Sequence, residues 1–114
     1  MKGPAVTLPA DTPQPPYYSV IFASQRSDSD DQTYSELAER MADLATRQPG
    51  YLGIDSSRDE NGFGITVSYW RSLQDIAAWK ANGEHLEAQV QGRRAFYKAF
   101  RVHVARVEKT YDGP

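Results

Sequence analysis

Tyr51-Leu52-Gly53-Ile54-Asp55-Ser56-Ser57-Arg58, then Asp59-Glu60-Asn61-Gly62, then Gly64-Ile65-Thr66-Val67-Ser68-Tyr69-Trp70 is the stretch that decides the fold of this chain. Its two outer parts are strand-length, and four turn-forming residues divide them, so the stretch predicts an antiparallel hairpin. In the later part Ile65, Val67 and Tyr69 alternate with Thr66, Ser68 and Trp70, which assigns them to opposite faces of a sheet. Pro49-Gly50 stands just ahead and stops whatever precedes it.

Working outward, Tyr34, Leu37, Ala38, Met41, Leu44 and Ala45 recur at three- and four-residue spacing and predict an amphipathic helix. Glu36, Glu39, Arg40 and Asp43 fall on its water face. After the hairpin, Ser72 with Asp75 three residues on resembles a capping box, and Leu73, Ile76 and Trp79 mark the apolar stripe of a second helix. Asn82-Gly83 reads as an interruption, followed by a further helical stretch from about Glu84 to Ala95 with Gly92 in its middle. The outermost strands are Tyr17 to Ser24, apolar on both faces, and a last one carrying Phe100, Val102 and Val104 on one face. The apolar phase slips at Ala105 and Val107, the signature of a bulge, and the strand is read as running to near Tyr111.

The order β-α-β-β-α-β with right-handed crossovers gives an α+β, ferredoxin-like fold: a four-stranded antiparallel sheet with both helices on one face. The other face lacks a cover. Because the first strand is apolar on both sides, a second copy is expected there, making a homodimer.

Residues 1–16 hold five of the seven prolines and form an arm outside the domain of residues 17–114. Val6 and Leu8, two apart, are expected to pin this arm to a surface, across the partner subunit. One domain of 114 residues with a formal charge of −2 leaves no room for a two-domain enzyme. The absence of cysteine excludes a disulfide framework, a thiolate nucleophile and any cysteine-built metal site. No membrane-length apolar run and no secretory leader is present, so the cytoplasm is the expected location. The net negative charge speaks against nucleic acid, and two histidines are too few for a histidine-rich metal site.

Gln48-Pro49-Gly50-Tyr51-Leu52-Gly53, Tyr69-Trp70-Arg71-Ser72 and Trp79-Lys80 followed by His85-Leu86-Glu87-Ala88 resemble the antibiotic biosynthesis monooxygenase domain family over about Tyr17 to Tyr111. The resemblance implies a dimeric α/β barrel, two such sheets packed face to face, with a small-molecule cavity between each sheet and its own helices. It also implies one of several activities: cofactor-free oxygenation of polycyclic phenols, quinol oxidation or haem degradation. The haem-degrading branch uses a first-strand asparagine, whereas the only asparagines here are Asn61 and Asn82, so haem degradation is not expected.

His85 occupies the place of a cavity-mouth histidine and suits proton abstraction from a phenol or anchoring of a ligand oxygen. The plainer alternative is a helix-break residue after Gly83. Trp70, Trp79, Tyr69 and Tyr97 are candidate substrate-binding walls, each equally a packing residue, and Arg94 is a candidate steering charge for an acidic ligand. His103 reads as a surface or interface residue. No dinucleotide, phosphate-loop, nucleophile-elbow or zinc motif is present, so an oxygenase built on this chain would use neither metal nor tightly bound cofactor. The functional expectation is a cofactor-independent monooxygenase-type domain for a small aromatic or quinol-like molecule; the alternative is a non-catalytic ligand-binding or structural dimer.

Overall fold

The chain's structure, a computed structural model, describes residues 8–28, 31–89 and 96–114, with backbone only at 31 and 85–89. Its elements are β1 (Tyr17–Arg26), α1 (Asp31–Thr46), β2 (Tyr51–Arg58), β3 (Phe63–Trp70), α2 (Leu73–Gln89) and β4 (Tyr97–Val107). The hairpin closes through Asp59, whose carboxylate accepts the Asn61 and Phe63 N–H groups at 2.9 Å each, while Gly62 takes φ +90°, which a residue with a Cβ resists. The strands form one antiparallel sheet in the order β2-β3-β1-β4, the ferredoxin-like arrangement the sequence predicts.

Directly opposed residues share a face, so the register fixes both faces. Tyr18, Val20, Phe22 and Ser24 of β1 stand with Trp70, Ser68, Thr66 and Gly64 of β3 and with Arg106, Val104, Val102 and Phe100 of β4. The helices pack on this face: Ala45 of α1 and Ile76 of α2 close on Trp70, with Tyr18, Val20, Tyr51 and Trp79 around them. Ser72 caps α2 as expected, its hydroxyl accepting the Asp75 N–H at 3.1 Å and donating to the Asp75 carboxylate at 2.9 Å.

Three readings of helix and strand are corrected. Asn82-Gly83 does not interrupt α2, which runs unbroken to Gln89. Gly83 is buried, and a Cβ on it would lie 3.0 Å from the Met41 side chain, so this glycine lets α2 approach α1 closely. The slip of phase at Ala105 and Val107 is not a bulge either. Pairing is continuous from Ala99 to Val107, so these two residues belong to the helix-free face, opposite Ser19 and Tyr17. The register shift lies instead at Gln25/Arg26, opposite Tyr97, and β4 ends at Val107 rather than near Tyr111.

The arm is tied down, though not by Leu8, which is 76% exposed; Val6 lies outside the described residues. Residues 8–16 fold back on the helix-free face. There the Ala10 N–H donates to one Asp55 carboxylate oxygen at 2.8 Å and the Tyr69 hydroxyl donates to the other at 2.9 Å. Thr12 and Tyr17 share a hydroxyl–hydroxyl bond of 2.7 Å, and Tyr17, only 3% exposed, stands edge-on to Tyr69. Burial, with Asp55 adding to it, pushes the Tyr69 phenol up to about 12.

Asp55→Ala removes the shared acceptor, and each hydrogen bond to a charged group contributes up to about 1.5–3 kcal/mol, less where water reaches it. Limited proteolysis of this variant is expected to cut within residues 8–16 while the rest of the domain survives. The folded state holds Tyr69 protonated, so this part of its stability is complete below the ordinary phenol value of about 10 and is lost as pH rises towards 12. Thermal midpoints measured across that alkaline window should fall less in Tyr69→Phe than in the parent chain.

Candidate functional site

Between helices and sheet the apolar matter gathers in two separate clusters. One is Trp70, Ala45 and Ile76 with their neighbours; the other is Leu37 and Phe96 with Tyr34, Met41, Leu44 and Tyr97. Phe22 of β1 lies beside the second, its ring 5.4 Å from Tyr97 and 5.5 Å from Phe100. Phe100, Val102 and Val104 lie on the helix-side face of β4 yet stay 41%, 44% and 51% exposed. This uncovered apolar strip along β4, beside Phe22 of β1, is the candidate ligand surface of the helix side, called the cleft below.

At one end of the cleft, Trp70 is fully buried, Trp79 stacks on it at 5.9 Å between ring centres, and Tyr51 meets it edge-on at 5.8 Å. The Trp70 indole N–H donates to the Ser68 hydroxyl at 2.8 Å, so it is engaged within the protein. Burial, with Asp55 contributing, holds the Tyr51 phenol above its ordinary value.

At the other end stand two arginines. Arg26 is 8% exposed; its guanidinium lies 3.7 Å over the Tyr34 ring and donates to the Phe96 carbonyl. Arg58 crosses the sheet from β2, donating to the Ser24 carbonyl at 3.2 Å, the Ser24 hydroxyl at 2.8 Å and the Gly62 carbonyl at 2.6 Å. Gly64 makes this crossing possible, since a Cβ there would fall 2.7 Å from the guanidinium carbon. That carbon is 5.8 Å from the Tyr34 ring centre and 5.9 Å from that of Tyr97, whose hydroxyls pair at 3.4 Å. The end is thus aromatic in its walls and cationic at its floor.

The candidates from the sequence divide accordingly. Trp70 and Trp79 come together at one end, and Tyr97 borders the cleft at the other. Tyr69 is on the opposite face of the sheet, bonded to Asp55 beneath the arm. His85 belongs to α2, but its side chain, like the whole of Arg94, lies outside the described residues. The sequence reading passed over Arg26, Arg58, Tyr34 and Phe22; strand parity was the available signal, for Arg26 shares the face of Phe22 and Arg58 that of Gly64. Among the described residues no His/Asp/Glu group is arranged to hold a metal ion.

The profile of the antibiotic biosynthesis monooxygenase family matches residues 16–91. An uncharacterized Bacillus subtilis (strain 168) protein, YqjZ, is 49% identical over 98 residues, covering 86% of this chain and 85% of its own length. Among solved structures, SnoaB from Streptomyces nogalater, a cofactor-independent oxygenase, superposes with a TM-score of 0.69 at 12% identity, over 84% of this chain and 97% of its own. A Pseudomonas aeruginosa protein superposes at 0.67, again at 12% identity, over 83% of this chain and 97% of its own. At such identities these two likenesses speak for the fold alone.

Ser68→Ala leaves the buried Trp70 N–H without its acceptor, at a cost of about 1–3 kcal/mol, and Trp70→Ala removes the centre of a cluster, at about 3–5 kcal/mol. Chemical denaturation should rank the two variants in that order.

Proposed function

Because the chain belongs to the antibiotic biosynthesis monooxygenase family, we propose that it oxidises a small aromatic phenol or quinol with molecular oxygen, using the cleft between its sheet and helices. The observation that carries this reading is the cleft: uncovered Phe100, Val102 and Val104, flanked by Phe22 and Tyr97, offer aromatic and aliphatic walls suited to a planar ligand. SnoaB, which shares the fold, is a cofactor-independent oxygenase, and the same form of chemistry is what we propose here.

In that form the substrate supplies the electrons. A base takes the phenol proton, and the resulting anion passes one electron to oxygen. The two radicals combine into a carbon-bound hydroperoxide, which loses water to leave a quinone carbonyl. One oxygen atom ends in the product and the other in water, so phenol plus oxygen balances quinone plus water. The protein's part is to desolvate and orient the ring and to accept the proton, and His85 is the group we assign to that step.

The assembly proposed is a homodimer packed through the helix-free sheet faces, working in the cytoplasm. Ile65 and Phe63, 43% and 46% exposed on that face, support such packing. No helix among the described residues is long and apolar enough to cross a membrane.

Oxygen uptake with a panel of phenols and quinols, without added flavin and in the presence of a chelator, is expected to show turnover of at least one of them. His85→Ala should lower kcat by about 10²–10⁴-fold with little change in KM. A packed, inert dimer would give no uptake across the panel. Light scattering is expected to return about twice the single-chain mass of 12.8 kDa.

A further inference from the structure

We propose that the N-terminal arm is part of the seat for a second copy: Arg101 on β4 of each protomer pairs with Asp11 on the arm of the other. This deepens the reading above and rests on it for the assembly through the helix-free faces.

The helix-free face carries a charge that its own chain does not balance. Among the described strand residues that register assigns to this face, only Asp55 and Arg101 bear a full charge at neutral pH. Asp55 is satisfied within the chain, one oxygen taking the Ala10 N–H at 2.8 Å and the other the Tyr69 hydroxyl at 2.9 Å. Arg101 is exposed and makes no ion pair or side-chain hydrogen bond among the described residues. A second copy laid on this face takes water from that guanidinium, which costs stability until a carboxylate meets it.

Asp11 supplies the carboxylate. It too is exposed and without an ion pair among the described residues. Its place is fixed from both sides, because Ala10 before it is bonded to Asp55 of β2 and Thr12 after it to Tyr17 of β1, the latter at 2.7 Å. Arg101 stands on β4, the edge opposite β2, and is level with Ala23 rather than with Tyr17. The two charges therefore do not meet within one chain. A two-fold axis that exchanges the edges of two such faces lays β4 of each copy towards the arm and β2 of the other. Cation then meets anion in both halves of the contact, with Ile65 and Phe63, 43% and 46% exposed on the same face, as its apolar part.

The test reverses each charge in the full chain and reads the mass by light scattering at micromolar concentration. The parent is expected at about twice 12.8 kDa, and Arg101→Glu and Asp11→Arg, each of which sets like charges together in both halves, at the mass of one chain. An equimolar mixture of the two variants should recover the double mass, since both contacts of a mixed pair then join opposite charges. That recovery should weaken with added salt. Should a reversed chain fail to fold, Arg101→Gln and Asp11→Asn are each expected to weaken the dimer by at least about tenfold on dilution. Single reversals that keep the parent mass, a mixture of folded variants that stays at the single-chain mass, or neutral variants that dilute like the parent would overturn the pairing while leaving the assembly through the helix-free faces standing. A parent chain of single-chain mass would overturn both.

Discussion

The pleat of β3 is the constraint on which the rest depends. Consecutive side chains of a strand must point to opposite sides, so Tyr69 and Trp70 cannot serve the same environment. Trp70 anchors one core cluster beneath the helices, and Tyr69 holds the Asp55 carboxylate that receives the arm. A shift of register by one residue would exchange them, putting a large indole under the arm and a phenol into the helical core. The same parity assigns Ser68, Thr66 and Gly64 to the helix side. There a hydroxyl satisfies an indole, and a missing side chain admits an arginine.

That division also accounts for the cleft. Helices gain most by covering bulky groups, and the bulky groups of the helix-side sheet are gathered at Trp70 and at Phe96 with Tyr97, leaving the middle of β1 and β4 between two contact points. The apolar residues of β4 remain open to water in consequence. A protein selected for stability alone would gain by closing that row, because each buried aliphatic side chain contributes about 1.5–3 kcal/mol.

The hairpin from Tyr51 to Trp70 and the stripe from Tyr34 to Ala45 were legible because periodicity and turn chemistry agree there. Gly83 was misread because a glycine in a helix looks alike whether it ends the helix or admits a neighbour; only the position of Met41 separates the two. Ala105 and Val107 misled for a related reason: a strand with apolar groups on both faces shows a change of phase without any change of pairing. Of the site, the aromatic walls could be guessed from residue type. For the arginines parity gives the face alone, since that Arg58 passes over a glycine of the neighbouring strand is visible only in the pairing between strands. Leu8 shows the opposite failure, an apolar residue credited with docking that polar atoms of Ala10, Thr12 and Asp55 perform.

The manner of the arm's attachment sets an order of events. Among its described residues, 8–16, side-chain groups hold it rather than a ladder of backbone bonds, and its acceptor, Asp55, is in place only once β2 has paired with β3. The arm is therefore the last segment to settle as the chain folds and the first to leave when it opens. Its departure breaks none of the pairing between strands. Two levels of opening follow within one small domain. A shallow one bares the helix-free face and leaves the cleft intact, and a deep one dissolves the sheet itself.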